Sequence, residues 1–487
     1  MKRRDAIQQI GWGISGGLLL PSLLTNCAPK DPGPEIIYSG TVAVVGSGPA
    51  GLYVADILAS KGIKVKVFEA RDQIGGRVRS LRNQTVDKYP RSPSMSSDFP
   101  IELGAEVTLG SNTILGKIFQ DYNLQTTEFL PSSNYFVLEK LVKSDSEWGG
   151  DPDYVAAKNF RNNLKSFAGS SQSVQEAVVS AGVGTRAYNM LNGQIGNSYG
   201  STNEKIGIGA LAEGEKLRVN DGKLIGLKTN PLQDILISRF FSIQSMVQLN
   251  TPITSINHGS DPIVLTAKDG STYNADKVIV TVPVSVLKNG SLTFSPGLSG
   301  EFANSLSKFS MGASYRAVIE FKKNFWGDKT GFIFGSAGVP EYFGVGLGRS
   351  QFNSTLSVTV NGDKANQFSS LGGQAAIDAI LADLDGLFGG LATKYIRKVI
   401  NIDGVETTDY IFVTQDWTKM DYIQGGFAYP LPGATNDDRK AIGKPANDKL
   451  FFAGEATDIT GQAGMVNGAL ASAERAAQEV IAAINKA

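Results

Sequence analysis

The spacing of apolar and polar positions changes period several times along the chain, and the first clear change lies just past residue 40. Thr41-Val42-Ala43-Val44-Val45 is an unbroken apolar, β-branched run, as expected of a parallel strand buried on both faces. It leads directly into Gly46-Ser47-Gly48-Pro49-Ala50-Gly51. Between Ala50 and Lys61 the period becomes helical, with Leu52, Ala55, Leu58 and Ala59 on one face and Gly62 closing the helix. Val65 to Phe68 then form a second strand that ends at Glu69, so strand, helix and strand take about 30 residues. Later, Tyr315 to Phe321 alternate, placing Arg316, Val318 and Glu320 on one face and Ala317, Ile319 and Phe321 on the other. At the far end, Ala469 to Ile484 read as an amphipathic helix.

Each residue type in the glycine loop has a physical reason. Gly46 permits the tight turn, Gly48 lets the backbone approach a diphosphate, and Gly51 lets the helix pack closely on the sheet. Pro49 opens the helix without an N–H of its own, and the amides of Ala50, Gly51 and beyond form a helix start that attracts negative charge. Glu69, eighteen residues after Gly51, is placed to accept hydrogen bonds from a ribose diol. A bare glycine triplet is often only a turn, but strand, helix, second strand and terminal acid in this order predict a dinucleotide-binding unit.

Composition narrows the chemistry. The 487 residues hold 46 Lys plus Arg against 46 Asp plus Glu, so no net field draws in nucleic acid and no nucleic-acid partner is expected. His258 is the only histidine and Cys27 the only cysteine, which argues against a Ser-His-Asp triad, a Cys-His pair or a histidine-rich metal site; no metal is expected. Difficult chemistry must come from a cofactor or from carboxylates, lysines and tyrosines. The length suggests two or three domains.

The first residues look like an address. Lys2-Arg3-Arg4, an apolar run from Ile10 to Leu24 and then Cys27 follow the order of an export signal, and Arg3-Arg4-Asp5 resembles a twin-arginine signal. Leu24-Thr25-Asn26-Cys27 resembles a lipoprotein cleavage site, from which Asn26 departs, and Pro29, Asp31, Pro32 and Pro34 would form a tether. Export to a bacterial periplasm, with a possible membrane anchor at Cys27, is the expectation; an unprocessed amphipathic N-terminus is the alternative.

Beyond Glu69 the chain continues Ala70-Arg71-Asp72-Gln73-Ile74-Gly75-Gly76-Arg77-Val78. This segment resembles the second FAD signature of the flavin amine oxidase family, which includes amino-acid oxidases, polyamine oxidases and related desaturases. The resemblance implies that Gly75, Gly76 and Arg77 run along the diphosphate, with Arg77 neutralising remaining charge. Ile101 to Glu106 is similar to the family strand that passes the flavin ring, which implicates Leu103, Gly104, Ala105 and Glu106. Lys277 to Pro283 resembles the strand closing the cofactor domain, preceded by Val247 to Ile256, in which Ile253 would meet the adenine through its backbone. Leu450 to Thr457, with Gly454 and Glu455, looks like the third FAD signature, and Gly464-Met465-Val466 opens the last helix, whose start would face the flavin pyrimidine. Trp417 resembles a family residue near the flavin, with an ordinary core tryptophan as the alternative.

By this resemblance the fold is α/β: a Rossmann-type FAD-binding domain interleaved with an α+β substrate domain, in the two-dinucleotide-binding arrangement of amine oxidases and glutathione reductases. Residues 1–36 are the signal and tether; 37–110, 205–290 and 415–487 build the FAD domain; 111–204 and 291–414 build the substrate domain, with a Ser- and Pro-rich loop at 91–98.

The substrate side departs from the family. Where amine-oxidising relatives carry a lysine ten residues before a tryptophan, counting back from Trp326 gives Arg316, which can orient a water or an anion but cannot accept a proton. Arg316 either faces the cofactor or serves a surface or salt-bridge role, and Lys322 and Lys323 are alternatives if the register differs. The tyrosine pair of monoamine oxidases is missing at Gly425-Gly426-Phe427-Ala428 and Gly464-Met465, no cysteine is available at Phe427 for a covalent flavin bond, and Val107-Thr108-Leu109 lacks the arginine of amino-acid oxidases. The expected activity is oxidation of a small amine or amino acid on non-covalent FAD, with dioxygen as acceptor. Desaturation or oxidation of an apolar carbon skeleton, or a flavin-binding lipoprotein without catalysis, are the alternatives.

Overall fold

A computed structural model describes residues 35–81, 99–349, 353–401 and 404–486. The export signal, Cys27 and the Ser- and Pro-rich stretch lie outside them.

The apolar run Thr41–Val45 is the central strand of a five-stranded parallel sheet. Lys64–Phe68 and then Val247–Gln248 lie on one side, and Lys277–Val280 and then Leu450–Phe452 on the other. With neighbours on both edges and layers on both faces, Val42 and Val44 are wholly buried, which is why this strand shows no alternation. The helices Pro49–Ser60 and Val466–Asn485 cover one face, where Leu52, Ala55 and Leu58 meet Leu470, Ala473, Ala477 and Val480. A smaller sheet of Ile253–Asn257, Ile263–Ala267, Thr272–Ala275 and Thr293–Ser295 covers the other through Ile256, Leu265 and Val278.

Two expected strands, Ile101 to Glu106 and Lys277 to Pro283, are shorter than their sequence suggests, the second ending at Val280. Only Ile101–Glu102 pairs, with Ser80–Leu81; residues 103 to 106 bend away, and a separate strand, Val107–Leu109, joins Leu224–Leu227. The bend follows from Gly104, whose missing Cβ would lie 1.9 Å from the Arg77 carbonyl oxygen. The segment Val247 to Ile256 supplies two strands, because Asn250 takes a left-handed φ of 53° that ends one and redirects the chain into another sheet.

A seven-stranded sheet forms the second module, in the order Phe412–Asp416, Ser314–Glu320, Thr355–Asn361, Glu341–Gly344, Phe332–Phe334, Tyr135–Leu138, Leu141–Ser144. Strand parity gives it two different faces. Tyr315, Ala317 and Ile319 pack with Val358, Val360, Tyr342 and Ile333 under the helix Gly373–Phe388, whose Ile377, Ile380, Leu381 and Leu384 complete that core. The other face carries Arg316 opposite Thr359, and Val318 opposite Ser357, Phe343 and Phe332 in turn. The parallel sheet draws all its strands from 37–110, 205–290 and 415–487; the seven-stranded sheet draws from 111–204 and 291–414, its Phe412–Asp416 strand crossing the last boundary.

Asp383 locks that helix to the sheet by accepting from the Tyr342 hydroxyl at 2.6 Å, the Ser336 hydroxyl at 2.7 Å and the Gly338 amide at 2.9 Å. Asp383→Ala leaves a wholly buried phenol without a partner. It is expected to cost about 2–4 kcal/mol, read as a lower urea midpoint with an unchanged slope.

Candidate functional site

The two modules enclose a cavity of about 690 Å³. The cofactor-side module contributes Gly46, Gly48, Pro49, Ala50, Glu69, Ala70, Arg71, Gly76, Arg77 and Ile253 to its wall. The seven-stranded sheet contributes Arg316, Phe332, Phe334, Glu341, Phe343 and Thr359 as a floor, and Gly104, Ala105, Glu106, Trp417, Phe427, Gly454, Glu455, Gly464, Met465 and Val466 also line it. The glycine loop and the start of the last helix, about 415 residues apart in sequence, therefore open on one slot.

The loop geometry matches a diphosphate cradle. Gly46 has φ 106°, and a Cβ on Gly51 would lie 1.9 Å from the Gly46 carbonyl oxygen, so neither position tolerates a side chain. A Cβ on Gly48 would meet no protein atom within 4 Å and would stand in the cavity itself. Glu69 braces this loop: its Oε2 accepts from the Ser47 amide at 2.8 Å and the Ser47 hydroxyl at 2.6 Å, and its Oε1 accepts from the Arg71 amide at 2.9 Å. One lone pair on Oε1 stays open for a ribose hydroxyl.

Some helix starts elsewhere in the fold are closed by side chains, as by Thr113, Asp151, Ser173, Ser299 and Thr435, and others, as at Gly207, Pro231 and Gly372, are not. Two helices that start at the cavity wall, at Gly48 and Met465, carry no side-chain cap. Their first amides are left for a ligand, and both present positive dipole ends to it. A long dinucleotide with a diphosphate near one helix start and an electron-accepting ring near the other fits this donor set.

Three expected cofactor contacts stand behind the wall instead. Gly51 packs on Gly46, the Gly75 amide donates to the Ser47 carbonyl at 2.9 Å, and the wholly buried Leu103 accepts from the Trp417 indole at 2.9 Å. Arg77 lines the cavity, but it is already paired with Glu455 at 2.9 Å and donates to the Gly426 carbonyl, so it is not the free cation that its motif suggests. Glu455 also accepts from the amides of Ala428 and Gly464, at 3.1 Å each, and thereby gathers three distant segments. Trp417 lies against Gly104 and Phe427 against Gly464.

Arg316 combines both of its alternatives: it lines the cavity, and it is a buried ion-pair residue. Its guanidinium donates to Glu106 Oε2 and, at 3.2 Å, to the Thr359 hydroxyl. Arg349, which sequence reasoning missed, holds Glu106 Oε1 at 2.7 Å. Lys322 pairs with Glu406 among exposed residues and Lys323 lies beside Tyr395, while Trp326 is a core residue. Glu341, also missed, is pushed up to about 7, first by burial and then by the charge of Glu106; hydrogen bonds from Asn197 and Ser198 and the charge of Arg316 pull it down. The aromatic row of Phe332, Phe334 and Phe343, with Phe332 stacked on Phe343 at 4.4 Å between centroids, was a third omission. Parity could have flagged these rings, but no local pattern marks Glu341 or Arg349.

Comparison with known proteins agrees with this geometry. The family described as flavin containing amine oxidoreductase matches residues 49–215 and 232–481. The chain is 25% identical over 464 residues to lysine-specific histone demethylase 1B of Mus musculus, covering 91% of this chain and 53% of that protein. It is 23% identical to polyamine oxidase 4 of Oryza sativa subsp. japonica, covering 96% of this chain and 91% of the relative. The chain thus spans about half the length of the histone demethylases it matches. Among solved structures, a putrescine oxidase bound to putrescine superposes with a TM-score of 0.74 at 17% identity, covering 91% of this chain and 99% of that one. Cyclohexylamine oxidase from Brevibacterium oxydans gives 0.72 at 17% identity, covering 92% and 99%.

The Arg316, Glu106 and Arg349 side chains are 9%, 5% and 1% exposed, so their charges depend on one another. Glu106→Gln leaves two buried guanidiniums without a counter-charge. It is expected to destabilise the fold by about 3–5 kcal/mol, measured by denaturant unfolding.

Proposed function

This chain belongs to the flavin-containing amine oxidoreductase family, and we propose that it is an FAD-dependent enzyme oxidising a small amine or amino acid at the carbon that bears nitrogen. The observation that carries this reading is the shared cavity, in which a diphosphate cradle, an uncapped helix start and an aromatic floor meet. Gly46, Gly48, Pro49, Ala50, Gly76 and Glu69 would hold the adenosine diphosphate half of FAD. Gly104, Ala105, Trp417, Gly464, Met465 and Val466 would hold the flavin, without a covalent bond. Bound FAD supplies the two-electron acceptor.

The chain's own residues bind, orient and keep the site dry. Phe332, Phe334 and Phe343 offer an apolar wall for the body of the substrate and exclude water from it. Arg316, held by Glu106 and Thr359, keeps a fixed positive charge on the floor and orients a water or an anionic group. With two guanidiniums around one carboxylate at this end, a substrate of high positive charge is disfavoured, which points to a monoamine or an amino acid. The phenylalanine wall also favours a second reading, oxidation of an apolar carbon skeleton. Dioxygen is the proposed final acceptor. Export through the segment around Lys2-Arg3-Arg4, with Cys27 as an anchor, remains part of the proposal.

Anaerobic mixing with benzylamine, cyclohexylamine, putrescine and phenylalanine is expected to bleach the flavin with at least one of them, putrescine being the slowest. In air the same substrate is expected to yield ammonia and peroxide in equal amounts. Bleaching only by an apolar compound without nitrogen, and no ammonia, would replace this reading with the second one.

A further inference from the structure

An ammonium substrate must lose a proton before the carbon next to nitrogen can be oxidised, and the site's permanent cation, Arg316, cannot accept it. The carboxyls that line the cavity are nearly all committed. Glu69 holds Ser47 and Arg71, Glu106 holds Arg316 and Arg349, and Glu455 holds Arg77, Ala428 and Gly464. Asp458 accepts through both oxygens from its own loop, at Thr460 and Gln462. Glu341 differs: Oε2 accepts from Asn197 Nδ2 and from the Ser198 hydroxyl, both at 3.3 Å, while Oε1 accepts no hydrogen bond among the described residues.

Its position follows from register. Tyr342 pairs with Val358, and one residue further along the same antiparallel ladder brings Glu341 opposite Thr359, which in turn faces Arg316. Phe334 pairs with Glu341 on the other side. Arg316, Thr359, Glu341 and Phe334 therefore form one row across the cavity floor, polar at one end and aromatic at the other.

We propose that Glu341 is a catalytic residue that takes the substrate's ammonium proton onto Oε1; this rests on the amine-oxidising function proposed above. One N–H bond of the ammonium breaks and its electron pair stays on nitrogen. An O–H bond forms on Glu341. With its lone pair free, the nitrogen lets the neighbouring carbon release hydrogen with both bonding electrons, as a hydride that bound FAD would accept, and the carboxyl returns its proton to water as product leaves. Burial suits the task by bringing the carboxyl to about 7. From the neighbouring elements Arg316 lowers this value and Glu106 raises it, while Asn197 and Ser198 lower it by hydrogen bonding. The fixed charge of Arg316 also disfavours an ammonium, narrowing the gap to an alkylamine that ordinarily titrates at about 10.

The test compares wild type, Glu341→Gln and Glu341→Asp as FAD-loaded proteins, with whichever of the four panel compounds bleaches wild type fastest. Acceptance requires the ionised carboxylate, so wild-type kcat/KM is expected to fall as pH drops through about 7. Glu341→Gln should keep its FAD content and melting temperature, lose this pH limb, and bleach about 100-fold more slowly or worse at pH 7, with KM little changed. Glu341→Asp should retain the limb at a shifted pH. Wild-type bleaching rate and pH profile in Glu341→Gln overturn the assignment and leave the amine-oxidising reading standing. Failure of every amine to bleach wild type overturns both. Should Glu341→Gln not fold, an unshifted profile in Glu341→Asp overturns the assignment and a shifted one supports it.

Discussion

Glu106 sits between two buried guanidiniums, and the union of the two modules depends on that arrangement. It comes from the bend after Ile101–Glu102, which otherwise belongs to the cofactor side, while Arg316 and Arg349 come from the seven-stranded sheet and the loop beyond it. Charges this deep persist only when each is answered, since an unpaired one costs several kcal/mol. The bridge therefore holds the two modules in one relative placement, and the cavity lies in the space between them. It also sets two guanidiniums against one carboxylate at that end of the cavity, which makes the protonation of the nearby Glu341 consequential.

A second constraint is strand parity. Every residue of Ser314–Glu320 is buried, yet the two faces do opposite work. Tyr315, Ala317 and Ile319 vanish into a helix-covered core, while Arg316 and Val318 join a floor continued by Thr359, Ser357 and Phe343. A slip of one residue would exchange a guanidinium for a tyrosine on that floor and drive the charge into the core, so register, stability and chemistry are fixed together.

Much of the cofactor side was legible in the sequence because its signals are local. Gly46, Gly48 and Gly51 act within six residues, Glu69 closes the same unit, and alternation grouped Arg316 with Val318 and Glu320 on one face without deciding which face meets the cavity. The reading weakened wherever a position is set from far away. Residues 103 to 106 look like the continuation of a strand, but the nearby Arg77 backbone forces a bend. Arg77 reads as a free cation until Glu455, 378 residues later, pairs with it. Glu341 owes its role to a ladder with Thr355–Asn361 and to Asn197 and Ser198 in a different segment, and nothing in Glu341-Tyr342-Phe343 announces it.

The central claim is that the slot between the modules holds FAD, with its diphosphate at the glycine loop and its ring at the start of the last helix. Its most direct test is to purify the full chain, precipitate it with acid, and identify what remains in solution. An equimolar amount of intact FAD, with a colourless pellet, is the predicted result. A protein that stays colourless after incubation with FAD, or one that releases FMN and so has no use for an adenosine cradle, would contradict it.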